Sequence, residues 1–146
     1  MERLDPLIGS WTSEGETVDD PIVRIKGSDV YEWLPGRHFL VHHVDVTVDG
    51  EPYQALEVFG EDADGDTCVA RAYNSDGTTG TMTVRVDDEG VVTLTGPDTR
   101  SRLVVADDGA SMAARWDRLD DGAWRHWMDM RFTRDSSSRS PAAARP

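Results

Sequence analysis

Histidine side chains carry most of the acid–base chemistry that this sequence offers. His42 lies in an alternating run of apolar residues, and His126 lies in a similar run near the end of the chain. Successive side chains of a β-strand point to opposite faces, so this alternation predicts that both imidazoles face inward. An imidazole titrates close to neutral pH. Inside a cavity, His42 and His126 could therefore transfer protons on a hydrophobic metabolite.

Glu57 is a third candidate for acid–base work, and its orientation is open in the sequence. It shares a strand face with Tyr53, Ala55 and Phe59, while Leu56 lies on the opposite face. If the first face points inward, a carboxylate in an apolar cavity could act as an acid or a base. If it points outward, Glu57 is an ordinary solvated charge, and this second arrangement is the one that we expect.

The spacing of the histidines argues against a metal site. His42 and His43 are adjacent, so on a strand they point to opposite faces. His38 shares a face with His42 but lies roughly 13 Å from it at strand rise, which is too far for joint ligation. Cys68 is the only cysteine, which excludes an internal disulfide and suits a reducing compartment. We therefore expect no metal.

The charge balance limits the partners. The 146 residues include 15 basic and 28 acidic side chains, which gives a net charge of −13. Such a chain repels phosphate backbones and anionic membrane surfaces, so we expect neither nucleic acid nor a membrane as a partner. No apolar run approaches the ~20 residues that span a bilayer, and the charged N-terminal residues lack the apolar stretch of a signal peptide. We expect a cytoplasmic protein, and a homodimer is compatible with the sequence.

Short strands between regularly spaced turns must position these residues. Asp-Gly pairs, which suit tight hairpins because glycine accepts a positive φ, recur along the chain. They stand at 49–50, 64–65, 76–77, 108–109 and 121–122. The stretches between the turns are rich in Val, Thr, Trp and Tyr. This pattern predicts an all-β fold, an antiparallel up-and-down β-barrel of about ten strands.

The predicted strands lie near 9–17, 22–26, 28–34, 37–48, 52–60, 66–74, 79–87, 90–96, 100–106, 111–118 and 123–133. The second and third can be one strand bent at Gly27. A short helical turn over 2–8 contains Pro6 and can plug one end of the barrel. We expect a single domain over 1–134, followed by a low-complexity tail at 135–146 that is disordered.

A barrel of about ten strands is wider than side chains alone can fill, so an internal cavity is predicted. Its predicted lining is Trp11, Trp33, His42, Tyr73, Trp116 and His126. Mostly apolar walls with a few polar groups are typical of small-molecule sites. The sequence therefore favours a barrel that binds a small hydrophobic ligand. The alternative is an enzyme that uses the same cavity, with His42, His126 and Glu57 as candidate catalytic residues.

The N-terminal residues resemble the beginning of lipocalin-like, or calycin, barrels. Gly9, Trp11 and Gly15 match the Gly-x-Trp-x-x-x-Gly pattern of that group. The segments 29–36 and 39–42, with 55–60, 80–82 and 127–129, look like an uncharacterised bacterial family of lipocalin-like domains related to the nitrobindin-like barrels. The resemblance covers most of 4–133. It implies the fold and says almost nothing about activity.

Nitrobindins hold haem through a histidine on their last strand, and the resemblance therefore implies one further alternative. In this chain the corresponding candidate for an iron ligand is His126. Met128 and Met130 lie further along the same predicted face, and one histidine alone does not specify haem. We expect no cofactor, with haem held by His126 as the alternative.

Overall fold

The computed structural model describes residues 1–62, 65 and 67–135, and ten antiparallel strands close into a barrel. The strands are β1 (Gly9–Thr17), β2 (Arg24–Trp33), β3 (Leu40–Val48), β4 (Glu51–Glu61), β5 (Cys68–Asn74), β6 (Thr79–Val86), β7 (Val92–Thr95), β8 (Thr99–Val105), β9 (Ser111–Asp120) and β10 (Ala123–Arg134). A 3₁₀ helix, Glu2–Leu7, precedes them and is here called the plug helix. The predicted all-β barrel is confirmed.

Each strand pairs with its neighbour in sequence, and β1 pairs with β10 to close the ring. Two of the tightest turns are Asp49-Gly50 and Asp121-Gly122, in which both residues have positive φ. This backbone geometry matches the twist of the strands that the turns join. The predicted segments near 22–26 and 28–34 form one strand, β2, as the alternative with a bend at Gly27 anticipated.

The plug helix closes one end of the barrel. Leu4 and Leu7 are buried against the core beside Trp11, whose indole N–H donates to the Leu7 carbonyl at 2.9 Å. The Trp33 indole N–H donates to Asp5 at 2.8 Å, which ties the helix to the end of β2. The sequence-based prediction of a plugging turn is confirmed.

Arg134, the last residue of β10, fastens the plug helix to the barrel. Its guanidinium donates to the carbonyls of Pro6 at 3.0 Å, Ile8 at 2.5 Å and Gly109 at 2.8 Å. The same group lies over the Trp11 ring, 4.1 Å from the ring centroid. The plug helix and the last strand therefore both contact Trp11.

Gly27 allows β2 and β3 to approach each other closely. A Cβ at this position would lie 2.2 Å from the Asp45 carbonyl oxygen and 2.5 Å from the Val46 Cα. Both contacts are with backbone, so no side-chain rotation relieves them. The bend that the sequence places at Gly27 is thus a point of close strand contact.

We expect Gly27→Ala to lower the free energy of unfolding by about 2 kcal/mol, the usual range for overpacking. The matched control is Gly80→Ala, a strand glycine around which a Cβ would meet no atom within 4 Å. Urea unfolding of the two variants measures the difference. Equal stability of the two would show that the close approach at Gly27 is not a constraint.

No helix in the described ranges is long and apolar enough to cross a membrane. The predicted tail lies, apart from Asp135, outside the described residues.

Candidate functional site

The barrel encloses a cavity of about 770 Å³ with predominantly apolar walls. All ten strands contribute residues to its lining, most of which are apolar, and Leu7 of the plug helix lies at the closed end, here called the floor. Thr17, Val48, Tyr53, Thr79 and Asp98 line the opposite end, here called the mouth. Thr79 is exposed although it lines the cavity, so the mouth is the end that communicates with solvent.

One wall of the cavity carries a cluster of three charged side chains, here called the polar corner: Asp29, His42 and Glu57. They come from β2, β3 and β4, which are neighbours in the barrel. His42 Nε2 lies 2.6 Å from Asp29 Oδ2, and His42 Nδ1 lies 3.0 Å from Glu57 Oε1. The imidazole thus bridges two carboxylates.

Strand register brings the polar corner together. His42 stands opposite Tyr31 of β2 on one side and opposite Glu57 of β4 on the other. Asp29 lies two residues before Tyr31 and therefore shares its face, at the diagonal distance that side chains still bridge. The Tyr31 and His42 rings stack in parallel, with centroids 3.9 Å apart.

Asp29 is held from a second direction. The Ser13 hydroxyl of β1 donates a hydrogen bond to Asp29 Oδ1, and both side chains are buried. Each Asp29 oxygen therefore has one partner, since Oδ2 accepts from the imidazole. This arrangement fixes the carboxylate in place beneath His42.

The polar corner holds His42 as an imidazolium at neutral pH. Burial by itself lowers the pKa of His42, because it penalises the charged form. The hydrogen bonds to Asp29 and Glu57, and the charges of these two carboxylates, outweigh burial and raise the pKa to about 9. The electron-rich face of Tyr31 further favours the cation.

Both ring nitrogens of His42 are occupied, which limits what this residue can do. An imidazolium that donates to two carboxylates has no lone pair for a metal, for haem iron or for a substrate. Glu57 differs, because only its Oε1 is engaged: within the described part of the chain, Oε2 accepts no hydrogen bond. Glu57 lines the cavity with a side chain that is 15% exposed. Its free oxygen is the atom of the polar corner that can meet a ligand.

Of the six residues predicted to line the cavity, the structure places His42 and Trp116 in its wall. Trp11 is fully buried under the plug helix, at 0% exposure, and does not reach the cavity. Trp33 packs at the plugged end beside Asp5. Tyr73 is 51% exposed on the outer surface of the barrel. The prediction that Trp11, Trp33 and Tyr73 line the cavity is therefore wrong.

His126 also lies outside the cavity lining, and a β-bulge explains why. The register of β10 against β9 shifts between His126 and Met128, so strict alternation breaks there. Met128 lines the cavity, whereas His126 lies on the outer side and pairs with Asp129 at 2.7 Å. The prediction of an inward His126 is wrong because the extra residue at the bulge, Trp127, reverses the faces.

The expected orientation of Glu57 is also wrong. The sequence favoured a solvated, outward position, but the face that it shares with Tyr53, Ala55 and Phe59 lines the cavity. The charge is tolerated there because His42 supplies a cation at 3.0 Å. Sequence reasoning did not select Asp29 as a site residue. Asp29 lies two residues from Tyr31 and so shares its strand face, which was a usable signal. Only the β2–β3 register, however, shows that Asp29 meets His42.

Neither His126 nor His42 is placed to hold haem iron inside the cavity. His126 lies outside the cavity, and the ring nitrogens of His42 are both held by carboxylates. Among the described residues, no group of three or more His, Cys, Asp or Glu side chains has a geometry that could hold a metal ion.

Neither a family model nor a curated protein matches the sequence. Several solved structures are similar in fold. The S-type phycobiliprotein lyase CPES from Guillardia theta has a TM-score of 0.63 and 10% identity, and the match covers 92% of each chain. A de novo designed fluorescence-activating β-barrel has a TM-score of 0.51 and 13% identity, and the match covers 92% of this chain and 99% of the design.

The siderocalin Ex-FABP is less similar, with a TM-score of 0.36 and 14% identity over 94% of this chain and 75% of its own. At 10% and 13% identity, the likeness to the lyase and to the designed barrel extends to the fold alone. The ten-stranded closed barrel fits a calycin-like fold.

Proposed function

We propose that this protein binds a small, mainly apolar molecule inside the barrel. The observation that carries the proposal is the cavity of about 770 Å³, apolar along most of its wall and polar at one corner. Its volume falls within the range of small-molecule sites, and a few fixed polar groups in apolar walls are what orient a ligand. The lyase CPES and the designed barrel share the closed-barrel fold, and the design is described by its name as a barrel that activates fluorescence.

Because one end of the barrel is plugged and the other is the mouth, the ligand enters from one side only. A molecule enters between the strand ends near Tyr53 and Thr79, where the lining is partly exposed. It extends toward Leu7 at the floor. The polar corner lies along this path on the β2–β4 side, so a polar group of the ligand meets Glu57 while its apolar part contacts the remaining strands.

The neutral fluorophore N-phenyl-1-naphthylamine tests this proposal directly. Trp116 and Trp127 lie in the cavity wall, so excitation of tryptophan should transfer energy to the bound probe. We expect saturable binding by the wild type. A double variant, Ala72→Phe with Ala114→Phe, adds two rings from strands that lie four places apart in the barrel, and we expect its affinity to fall at least tenfold.

The matched control is Ala113→Phe, which places the same side chain on the outer face of β9 beside Ala114. It should bind the probe like the wild type. Equal loss in both variants would point to disturbed folding, and retention of binding by the double variant would place the probe outside the cavity and contradict the proposal.

A further inference from the structure

The polar corner carries more negative than positive charge. Asp29 and Glu57 each contribute a carboxylate, and His42 contributes one imidazolium between them. Both imidazolium protons point at carboxylates, so no positive hydrogen-bond donor remains for a ligand. What the corner offers to the cavity is the free acceptor Glu57 Oε2.

One further charged residue lines the cavity among the described residues, and it is also acidic. Asp98 lines the mouth, and no arginine or lysine is among the described residues that line the cavity. The whole chain adds a net charge of −13, and its field draws cations toward the mouth and repels anions. A carboxylate ligand would lose its hydration here without meeting a free cation.

A second polar residue of the same cavity lacks a hydrogen-bond partner. Ser101 lines the cavity and is 1% exposed, and its buried Oγ makes no hydrogen bond within the described part of the chain. A buried hydroxyl without a partner is costly, so a bound molecule that reaches it is favoured. Ser101 lies on β8, five places from β3 in either direction around the ring. It therefore faces the polar corner from the opposite wall.

We propose that the ligand is an apolar molecule with a cationic nitrogen, such as a protonated amine, which donates to Glu57 Oε2. A second hydrogen-bonding atom of the same molecule meets Ser101 Oγ across the cavity. His42 acts as a positioning residue that keeps the Glu57 carboxylate oriented. This inference rests on the proposed function, and it names the class of ligand.

Four ten-carbon compounds test the charge preference: decylamine, 1-decanol, decanoate and 10-amino-1-decanol. Each competes with N-phenyl-1-naphthylamine at neutral pH. We expect decylamine to bind about tenfold more tightly than 1-decanol, and decanoate to bind at least tenfold more weakly than 1-decanol. Decanol binding as tight as that of the amine, or preference for decanoate, would overturn the inference and leave the proposed function standing. If neither the fluorophore nor any of the four compounds binds, both fail.

Glu57→Gln separates the carboxylate from the rest of the cavity. The affinity for decylamine should fall about tenfold, while that for 1-decanol stays within about twofold and reports an intact cavity. Glu61→Gln, which removes an exposed charge from the same strand, is the matched control and should change neither. An unchanged preference for the amine in Glu57→Gln would contradict the role of Glu57.

Ser101→Ala tests the second contact. For the wild type, 10-amino-1-decanol should bind about fivefold more tightly than decylamine, which is the gain of one hydrogen bond to a buried hydroxyl. In Ser101→Ala this gain should disappear, and the affinity for decylamine should be unchanged. An equal gain in wild type and variant would remove Ser101 from the ligand site.

Discussion

The His42→Gln variant should lose about 3 kcal/mol of unfolding free energy at pH 6, and much less at pH 10. At pH 6 the substitution removes the cation between Asp29 and Glu57 and leaves two buried carboxylates uncompensated, which is costly. At pH 10 the wild type has itself lost this cation. Urea unfolding of both proteins across this range measures the effect.

The direction follows from the pKa of His42, which the fold raises from 6.5 to about 9. Because the folded value lies above the unfolded one, the imidazolium contributes its full stabilisation below pH 6.5. That contribution declines as the pH rises and is gone once the pH has passed 9. At about 1.4 kcal/mol for each pKa unit, the shift corresponds to about 3 kcal/mol.

His43→Gln provides the control, because His43 is the neighbouring histidine on the outer face, where it lies 3.6 Å from Glu32. Other groups that titrate at high pH are common to both variants and cancel in the comparison. We expect the difference between His43→Gln and wild type to be small and independent of pH. A pH-independent loss in His42→Gln would contradict an imidazolium held by two carboxylates.

The second large effect concerns the plugged end. Trp11→Ala should lower the free energy of unfolding by about 4 kcal/mol, the usual cost of removing a large buried aromatic side chain. The substitution removes the indole N–H donor to Leu7 and the ring beneath the Arg134 guanidinium. Urea unfolding monitored by circular dichroism measures the loss without relying on tryptophan emission.

Trp124→Ala is the comparison for this prediction. Trp124 lies near the start of β10, where the Arg100 guanidinium covers its ring at 4.7 Å. Because this tryptophan is only partly buried, its removal should cost about 1 kcal/mol or less. Similar losses from both substitutions would show that the plug helix does not anchor the barrel through Trp11.

The fold was accessible from the sequence because its signals are local. The Asp-Gly turns mark hairpins, alternation marks strands, and a plugging turn with Pro6 begins the chain. Each of these depends on a few neighbouring residues. Closure of the ring was expected because it removes the two unpaired edges that an open sheet would leave.

The site was only partly accessible because it depends on register. His42 was placed inward correctly from its own strand, and its exposed neighbour His43 was placed outward. Glu57 was not placed inward, because an isolated carboxylate is unfavourable in a cavity. Only its pairing with His42 makes the charge acceptable there. The bulge before Met128 is equally hidden, because one extra residue leaves no mark in composition yet reverses the face of His126.

The β1–β10 seam has a consequence for how the chain folds. Nine of the ten strand pairings join consecutive strands, whereas the seam joins residues such as Glu16 and Arg131, which are 115 positions apart. Closing so long a loop costs more chain entropy than closing any hairpin. Until the seam forms, β1 and β10 both present unpaired edges, and β1 of one chain can pair with β10 of another. The β1–β10 seam is therefore the place in this fold where strand exchange between molecules is expected.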